Sequence, residues 1–238
     1  MEISGDLTWK EHTEKLKTKL RQRLGVLRRL KYCLPKSALK QVAEALFMSK
    51  LRYGIEVYCK PKLNEQDSTN KMLKELTVLQ NEMMRIITGK KCKDKVSIKY
   101  LRDTTKTTSV NHVACYHILM ETYGVIHEGT SADLKKLLTH SINTHSMNTR
   151  SATQLKVSEP DNKGRKNDFV YYGAKLWNLI PESLRAGPAA THESSKISSS
   201  RSMTQKEQKI AAQKLAATKK AAFRKGIKTW ISSSIPSD

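Results

Sequence analysis

The sequence is poor in aromatic residues, which make up 6% of 238, and poor in glycine and proline, with ten and six. No stretch alternates apolar and polar residues for long enough to imply a sheet. No apolar run approaches the roughly 18 to 20 residues needed to cross a bilayer, so no transmembrane segment is expected. The four cysteines, Cys33, Cys59, Cys92 and Cys115, show neither a Cys-x-x-Cys pair nor the clustering of a disulfide framework. They read as free thiols in a reducing compartment, and the first residues carry no signal-peptide pattern. The expectation is an intracellular protein, nuclear or cytoplasmic.

Catalytic motifs are also missing. Nucleotidyl transfer needs carboxylates that converge on magnesium to clamp the attacking and leaving oxygens. The eight aspartates include no adjacent pair and no aromatic-x-Asp-Asp. His112, Cys115 and His117 lie close together, but on a helix Cys115 and His117 point apart, and no fourth ligand stands at a recognisable distance. A Gly-rich phosphate loop, a Gly-x-Ser-x-Gly elbow and a His-Glu-x-x-His helix are absent too. No catalytic residue, metal ligand or cofactor is therefore expected.

What is abundant is positive charge. Lys and Arg number 44 against 22 acidic residues, a formal net charge of +22. Residues 1–95 carry 22 basic and 11 acidic side chains, 96–186 carry 12 and 8, and 187–238 carry 10 and 3. Both ends are basic and the middle is nearly balanced. A field of this sign draws polyanions, of which nucleic acid is the commonest in a cell.

The apolar residues recur at helical steps. Thr8-Trp9-Lys10-Glu11 fits a capping box. It opens a helix with the stripe Trp9, Leu16, Leu20, Leu24 and Leu27 and a basic remainder that includes Lys15, Lys19, Arg23, Arg28, Arg29 and Lys31. Leu34-Pro35 breaks it, with Pro35 at the first position of a second helix carrying Leu39, Val42, Leu46 and Phe47 to about Gly54. A connection this short predicts an antiparallel hairpin.

A polar loop from Lys60 to Asn70 leads to a third helix with Leu73, Leu76, Leu79, Met83 and Ile87. Gly89 is placed to end it in the left-handed conformation, and Lys90, Lys91, Lys93 and Lys95 follow where the helix dipole favours cations. A short piece near Ile98–Leu101 precedes a fourth helix, marked by Val110, Val113, His117, Met120 and Tyr123, that closes at Gly124. Leu134, Leu137 and Leu138 predict a short fifth.

Residues 140–167 turn polar and read as a linker, tied down at Leu155 and Val157. Phe169 to Arg185 holds the densest aromatic cluster. There Phe169, Tyr172, Leu176 and Leu179 make a stripe, Gly173 and Ala174 leave room for a close neighbour, and Pro181 ends the helix. The stretch after it, rich in Gly, Pro, Ser and Ala, is expected to be disordered. Residues 204–231 are strong helix formers with only a partial apolar face (Ile210, Leu215, Phe223, Ile227, Trp230 and Ile231), and such a helix needs a partner surface.

The expected fold is all-α, a small helical bundle with a polar linker and a basic C-terminal helix. Its expected divisions are a bundle over 1–125, a linker and aromatic helix packing on it over 126–186, a disordered linker over 187–203 and a helical tail over 204–238.

Five short motifs, in chain order, resemble the C-terminal part of reverse transcriptases of non-LTR (LINE-type) retrotransposons. They are Leu7-Thr8-Trp9-Lys10-Glu11-His12, Leu51-Arg52-Tyr53-Gly54, Gln80-Asn81-x-x-x-Arg85-Ile86-Ile87-Thr88-Gly89, Asn148-Thr149-Arg150-Ser151, and Phe169 through Leu184 with its Gly-Ala-x-Leu-Trp-Asn-x-x-Pro core. Together they span about residues 7–185. The resemblance implies a helical thumb and the region that follows it, which in the family cradles the template-primer duplex beside a palm that this chain lacks. Phe223-Arg224-Lys225-Gly226-Ile227-Lys228 is similar to the family's last helix, yet nearly forty residues separate it from Arg185. An insertion or an altered end is implied, and the Cys/His knuckle that some relatives carry is missing.

The expected activity is sequence-independent binding of RNA or an RNA/DNA duplex, without catalysis except as a thumb supplied to a separate polymerase. Lys15, Lys19, Arg23, Arg28, Arg29, Lys90 and Lys91 are the candidate phosphate contacts. A second expectation is a structural or interaction protein whose 204–231 helix docks on a protein partner or an anionic membrane. A third is an expressed remnant with no selected function.

Overall fold

The computed structural model describes residues 9–67, 70–138, 154–157, 169–185 and 205–237. Among these the secondary structure is helical, with no strand, and the all-α expectation holds. Thr8, the Asn148–Ser151 motif and the 187–203 linker lie outside the described residues.

Helix α1 (Lys10–Leu30) buries Leu16, Leu20, Leu24 and Leu27, the stripe its spacing predicts. Trp9 occupies the N-cap position without a side-chain cap bond, so the helix starts one residue inside the expected box. Pro35, with extended ψ, caps the next helix rather than opening it, and α2 (Lys36–Ala43) begins at Lys36. A π-helical turn, Glu44–Met48, carries α2 into α3 (Ser49–Arg52) and buries Phe47 and Met48. Arg23 donates to the Leu46 carbonyl across the hairpin, as antiparallel packing requires. Gly54, at φ 69°, turns the chain into α4 (Ile55–Tyr58). The buried Tyr58 hydroxyl donates back to the Leu51 carbonyl at 2.5 Å.

The central rod of the first cluster is α5 (Lys71–Thr88), started by Asn70, whose Oδ1 accepts from the Met72 amide at 3.3 Å. It ends at Gly89, in the expected left-handed conformation at φ 75°. Lys17 of α1 meets Glu75 near the start of α5, and Arg28 meets Glu82 further along. The two helices therefore run in the same direction and finish at the same end of the bundle. Gln80, fully buried, donates to the Thr108 carbonyl at 2.8 Å and ties α5 to the turn after α6 (Ile98–Thr105).

Helix α7 (Val110–Tyr123) is buried on nearly all sides, as a helix between two layers must be. Val110, Val113 and Ala114 join the first cluster, while Cys115, Ile118, Leu119 and Tyr123 join a second. The expected stop at Gly124 is corrected. Gly124 keeps helical angles and opens a second π-turn, Gly124–Glu128, and the chain leaves the helix at Gly129, φ 64°. A Cβ on Gly124 would lie 3.3 Å from Thr130 Cγ2, so packing against Thr130 is what asks for glycine there. The short helix α8 (Ala132–Leu137) follows.

Helix α9 (Phe169–Leu179) packs on α7 through Gly173, Ala174, Leu176 and Trp177. Of the expected stripe, Leu176 is buried and Phe169 and Tyr172 pack against the second cluster, while Leu179 is 47% exposed and Trp177 and Ile180 are buried in its place. The reason is the close approach, since a Cβ on Gly173 would stand 2.8 Å from Thr122 Oγ1 of α7, which turns the small-residue face inward. Asn178 pairs with the backbone of Leu155, accepting from its amide at 2.8 Å and donating to its carbonyl at 2.9 Å. The expected anchorage of the linker at Leu155 is thus a two-bond clamp. Pro181 ends the helix as expected and leads to α10 (Glu182–Arg185).

The last helix, α11 (Gln205–Ser234), finds its partner surface within the chain. Phe223, Ile227, Ile231 and Ile235 are buried in the second cluster, and Phe223 stacks on Tyr123 with centroids 4.3 Å apart. Asn111 accepts from the Lys62 amide at 2.8 Å and donates to the carbonyls of Lys62 and Pro236 at 2.8 and 3.0 Å. His112 Nε2 lies 2.9 Å from the Ile235 carbonyl. These bonds fasten the end of α11 to the start of α7.

Candidate nucleic-acid interface

Lys15, Lys19 and Arg23 follow one another at four-residue steps on α1, so they share one flank of that helix. It is the flank turned to the α2–α3 hairpin, because Arg23 reaches Leu46 from it. Lys15 and Lys19 are exposed and Arg23 is half-buried. On α3 the ammonium of Lys50 sits 5.4 Å from the ring centroid of Tyr53, which is 61% exposed.

Arg28 lies on the opposite flank and pairs with Glu82. Its charge is partly matched before any ligand arrives. Arg29, Lys90 and Lys91 are exposed. Because α1 and α5 finish together, Arg28 and Arg29 share one end of the bundle with Lys90 and Lys91 just past Gly89. Lys31, Lys93 and Lys95 extend the group. Asp94 caps the short turn Cys92–Asp94, its Oδ2 accepting from the Lys91 amide at 2.7 Å.

The seven candidate residues thus form two groups rather than one stripe. Lys15, Lys19 and Arg23 make a flank, and Arg28, Arg29, Lys90 and Lys91 make an end. The carbonyl ends of α1 and α5 point toward the second group and hold cations there, while offsetting part of their field.

Sequence reasoning missed Tyr32, which is 81% exposed beside this end, with the Lys31 ammonium 4.8 Å from its centroid. An exposed aromatic among cations offers a base a stacking surface. The signal was available: Tyr32 falls just after the last apolar step of α1 and is followed by the helix-breaking Leu34-Pro35.

Lys17, the one buried cation of α1, serves structure. Its Nζ lies 2.5 Å from Glu14 Oε1 and 2.6 Å from Glu75 Oε2. Burial pulls its pKa down, but the two carboxylates outweigh burial and hold it above the ordinary lysine value. Among the described residues no cluster of three or more His, Cys, Asp or Glu could hold a metal. His112 and Cys115 are buried, and the Nε2 of His112 faces the Ile235 carbonyl.

No family model, curated protein or solved structure matches this chain. The described motif residues have structural duties of their own: Gly54 and Gly89 take positive φ, Gln80 bridges α5 to the Thr108 turn, and Asn178 clamps Leu155. Such duties account for these residue types without any ligand. No helix of the described residues is long and apolar enough to cross a membrane.

Proposed function

We propose that this chain is a non-catalytic, sequence-independent nucleic-acid-binding bundle, related to the thumb of LINE-type reverse transcriptases and suited to RNA or an RNA/DNA duplex. The observation that carries the reading is the basic end, where α1 and α5 finish side by side. It presents Arg28, Arg29, Lys31, Lys90, Lys91, Lys93 and Lys95, with Glu82 and Asp94 already engaged within the fold. A rigid end of this kind meets phosphates without ordering a flexible tail first. Contacts of this type supply affinity that falls steeply with salt and carries little base preference.

The test is fluorescence anisotropy with single-stranded RNA, duplex DNA and an RNA/DNA hybrid of equal length over a range of salt. The triple variant Arg29→Glu, Lys90→Glu, Lys91→Glu leaves the core untouched. It should weaken binding on all three ligands and flatten the salt slope by about 0.7 to 0.9 per lost phosphate contact. Unchanged affinity and slope in that variant would sink the reading. Arg23 and Arg28 are poorer probes, because each already contacts the Leu46 carbonyl or Glu82.

A second reading, docking of the tail helix on another molecule, is favoured by the first half of α11. Ile210 is 47% exposed there, and among the described residues of the helix the buried ones begin at Phe223. Removing residues 205–218 tests it and keeps Phe223, Ile227 and Ile231 in the core.

A further inference from the structure

A cleft of about 490 Å³ opens between α3, α7 and α11. Its size falls within the roughly 300 to 1,000 Å³ of small-molecule sites. The apolar Val113 and Ile231 line it together with the ring of Tyr116, and so do the basic Arg52, His117 and Lys228. Among the described residues no carboxylate lines it. None of the seven basic residues considered above belongs to it either, so it is a separate feature of the molecule.

Arg52 and Lys228 come from opposite ends of the sequence and meet only through the fold. Arg52 Nη1 is 2.6 Å from Glu44 Oε1, a contact that leaves the rest of the guanidinium available. The Lys228 ammonium sits 5.4 Å from the Tyr116 centroid. His117 is held below the ordinary histidine value by burial and by the neighbouring Arg52 charge. At neutral pH it offers one ring N–H donor and one acceptor rather than a third charge. Ser232 Oγ donates to the Lys228 carbonyl at 3.0 Å, so its hydroxyl proton is already engaged within α11.

Arg52, its charge partly matched by Glu44, and Lys228 leave net positive charge at the cleft, which favours an anion. Val113 and Ile231 are 5% and 3% exposed and form the floor, so the half-buried ring of Tyr116 is the apolar surface that faces the cleft. That ring calls for a flat, weakly polar body attached to the anion, whereas a bare inorganic ion or a long acyl chain would leave the tyrosine face and the imidazole unmet. We propose that this cleft binds a nucleotide, with its base against the Tyr116 ring and its phosphate held by Arg52 and Lys228. The nucleotide is either free or the 5′-phosphorylated end of a strand.

The full chain is titrated with 5′-AMP, with a 5′-phosphorylated dinucleotide, and with adenosine and inorganic phosphate as controls. Binding is followed by the NMR signals of the Tyr116 ring and the His117 imidazole. Saturable shifts of both rings are expected, with AMP or the dinucleotide at least tenfold tighter than either control. Each of Arg52→Gln and Lys228→Gln should weaken binding about tenfold, the loss of one charge-assisted contact. Both side chains are partly exposed, and circular dichroism checks that the variants stay folded.

Response to AMP assigns a free nucleotide, and response to the dinucleotide alone assigns a strand end. The proposal is overturned if neither ligand moves both rings, if phosphate alone binds as tightly, or if both variants bind like the parent. The triple variant at Arg29, Lys90 and Lys91 should keep AMP binding, which separates failure here from failure of the nucleic-acid surface.

Discussion

The two hydrophobic clusters are built by different means. The first, around α5, is closed by leucine and methionine stripes drawn from α1 to α7, with segments near in sequence packing on one another. The second, around α7, gathers Leu63, Leu155, Trp177, and Phe223 with Ile235 from four separated stretches, and aromatic stacking and asparagine clamps hold it. A local cluster can form as soon as its helices do. The dispersed one must close long loops before any contact rewards them. The first cluster should therefore be the more persistent, and the second should be the place where the molecule opens.

The largest break in that contrast is Phe223→Ala. Phe223 is buried between Tyr123 and Trp177, at centroid distances of 4.3 and 5.8 Å. Truncating a buried aromatic of this kind costs about 3 to 5 kcal/mol. Amide exchange should then show protection lost along α11 and α9 and kept in α5. If α5 loses protection to the same degree, the clusters unfold as one unit and the contrast fails.

The same difference decides what could be read from the sequence. The stripes of α1 and α5 and the stop at Gly89 rest on local rules and appear where expected, and α2 starts one residue past Pro35, although α1 already ends at Leu30. In the second cluster, local rules gave the helices but not their faces. Periodicity alone put Leu179 inside, whereas the contact of Gly173 with Thr122 rotates α9 and brings Trp177 in. Periodicity also left α11 without a surface, because that surface is assembled from α7, α9 and α10. For the basic site, the charges were legible and their pairing was not. Nothing local says that Arg28 meets Glu82, that Lys17 is buried between two glutamates, or that Arg52 and Lys228 line one cleft.

Gly173→Ala sharpens the comparison at smaller scale. The added methyl would lie 2.8 Å from Thr122 Oγ1, so α9 must back away from α7. Overpacking of this kind costs about 1 to 3 kcal/mol. Alanine recovers about 1 kcal/mol of helix propensity, which leaves a net loss of up to about 2 kcal/mol by denaturant titration. Pairing it with Thr122→Ser keeps the clash with Oγ1, and pairing it with Thr122→Ala relieves it. Rescue by the second alone would locate the strain at that oxygen.

The smallest effect belongs to the first cluster, at Lys17. Its pKa is raised in the fold, so its contribution is fully present below the ordinary lysine value of 10.5 and is lost as pH rises through the higher folded value. Tyr58 acts in the same direction for another reason. Burial raises the pKa of its hydroxyl from the ordinary 10.0, so above that pH the unfolded chain gains the phenolate first. Replacing Lys17 with Gln should cost about 1 kcal/mol at neutral pH, little for a buried cation, because Glu14 and Glu75 keep access to water. The deficit of the variant should shrink as pH rises above the ordinary lysine value of 10.5, where the parent loses the same charge. A deficit that stays constant over that range would mean that Lys17 contributes through the packing of its methylene stem and that the two carboxylates are bystanders.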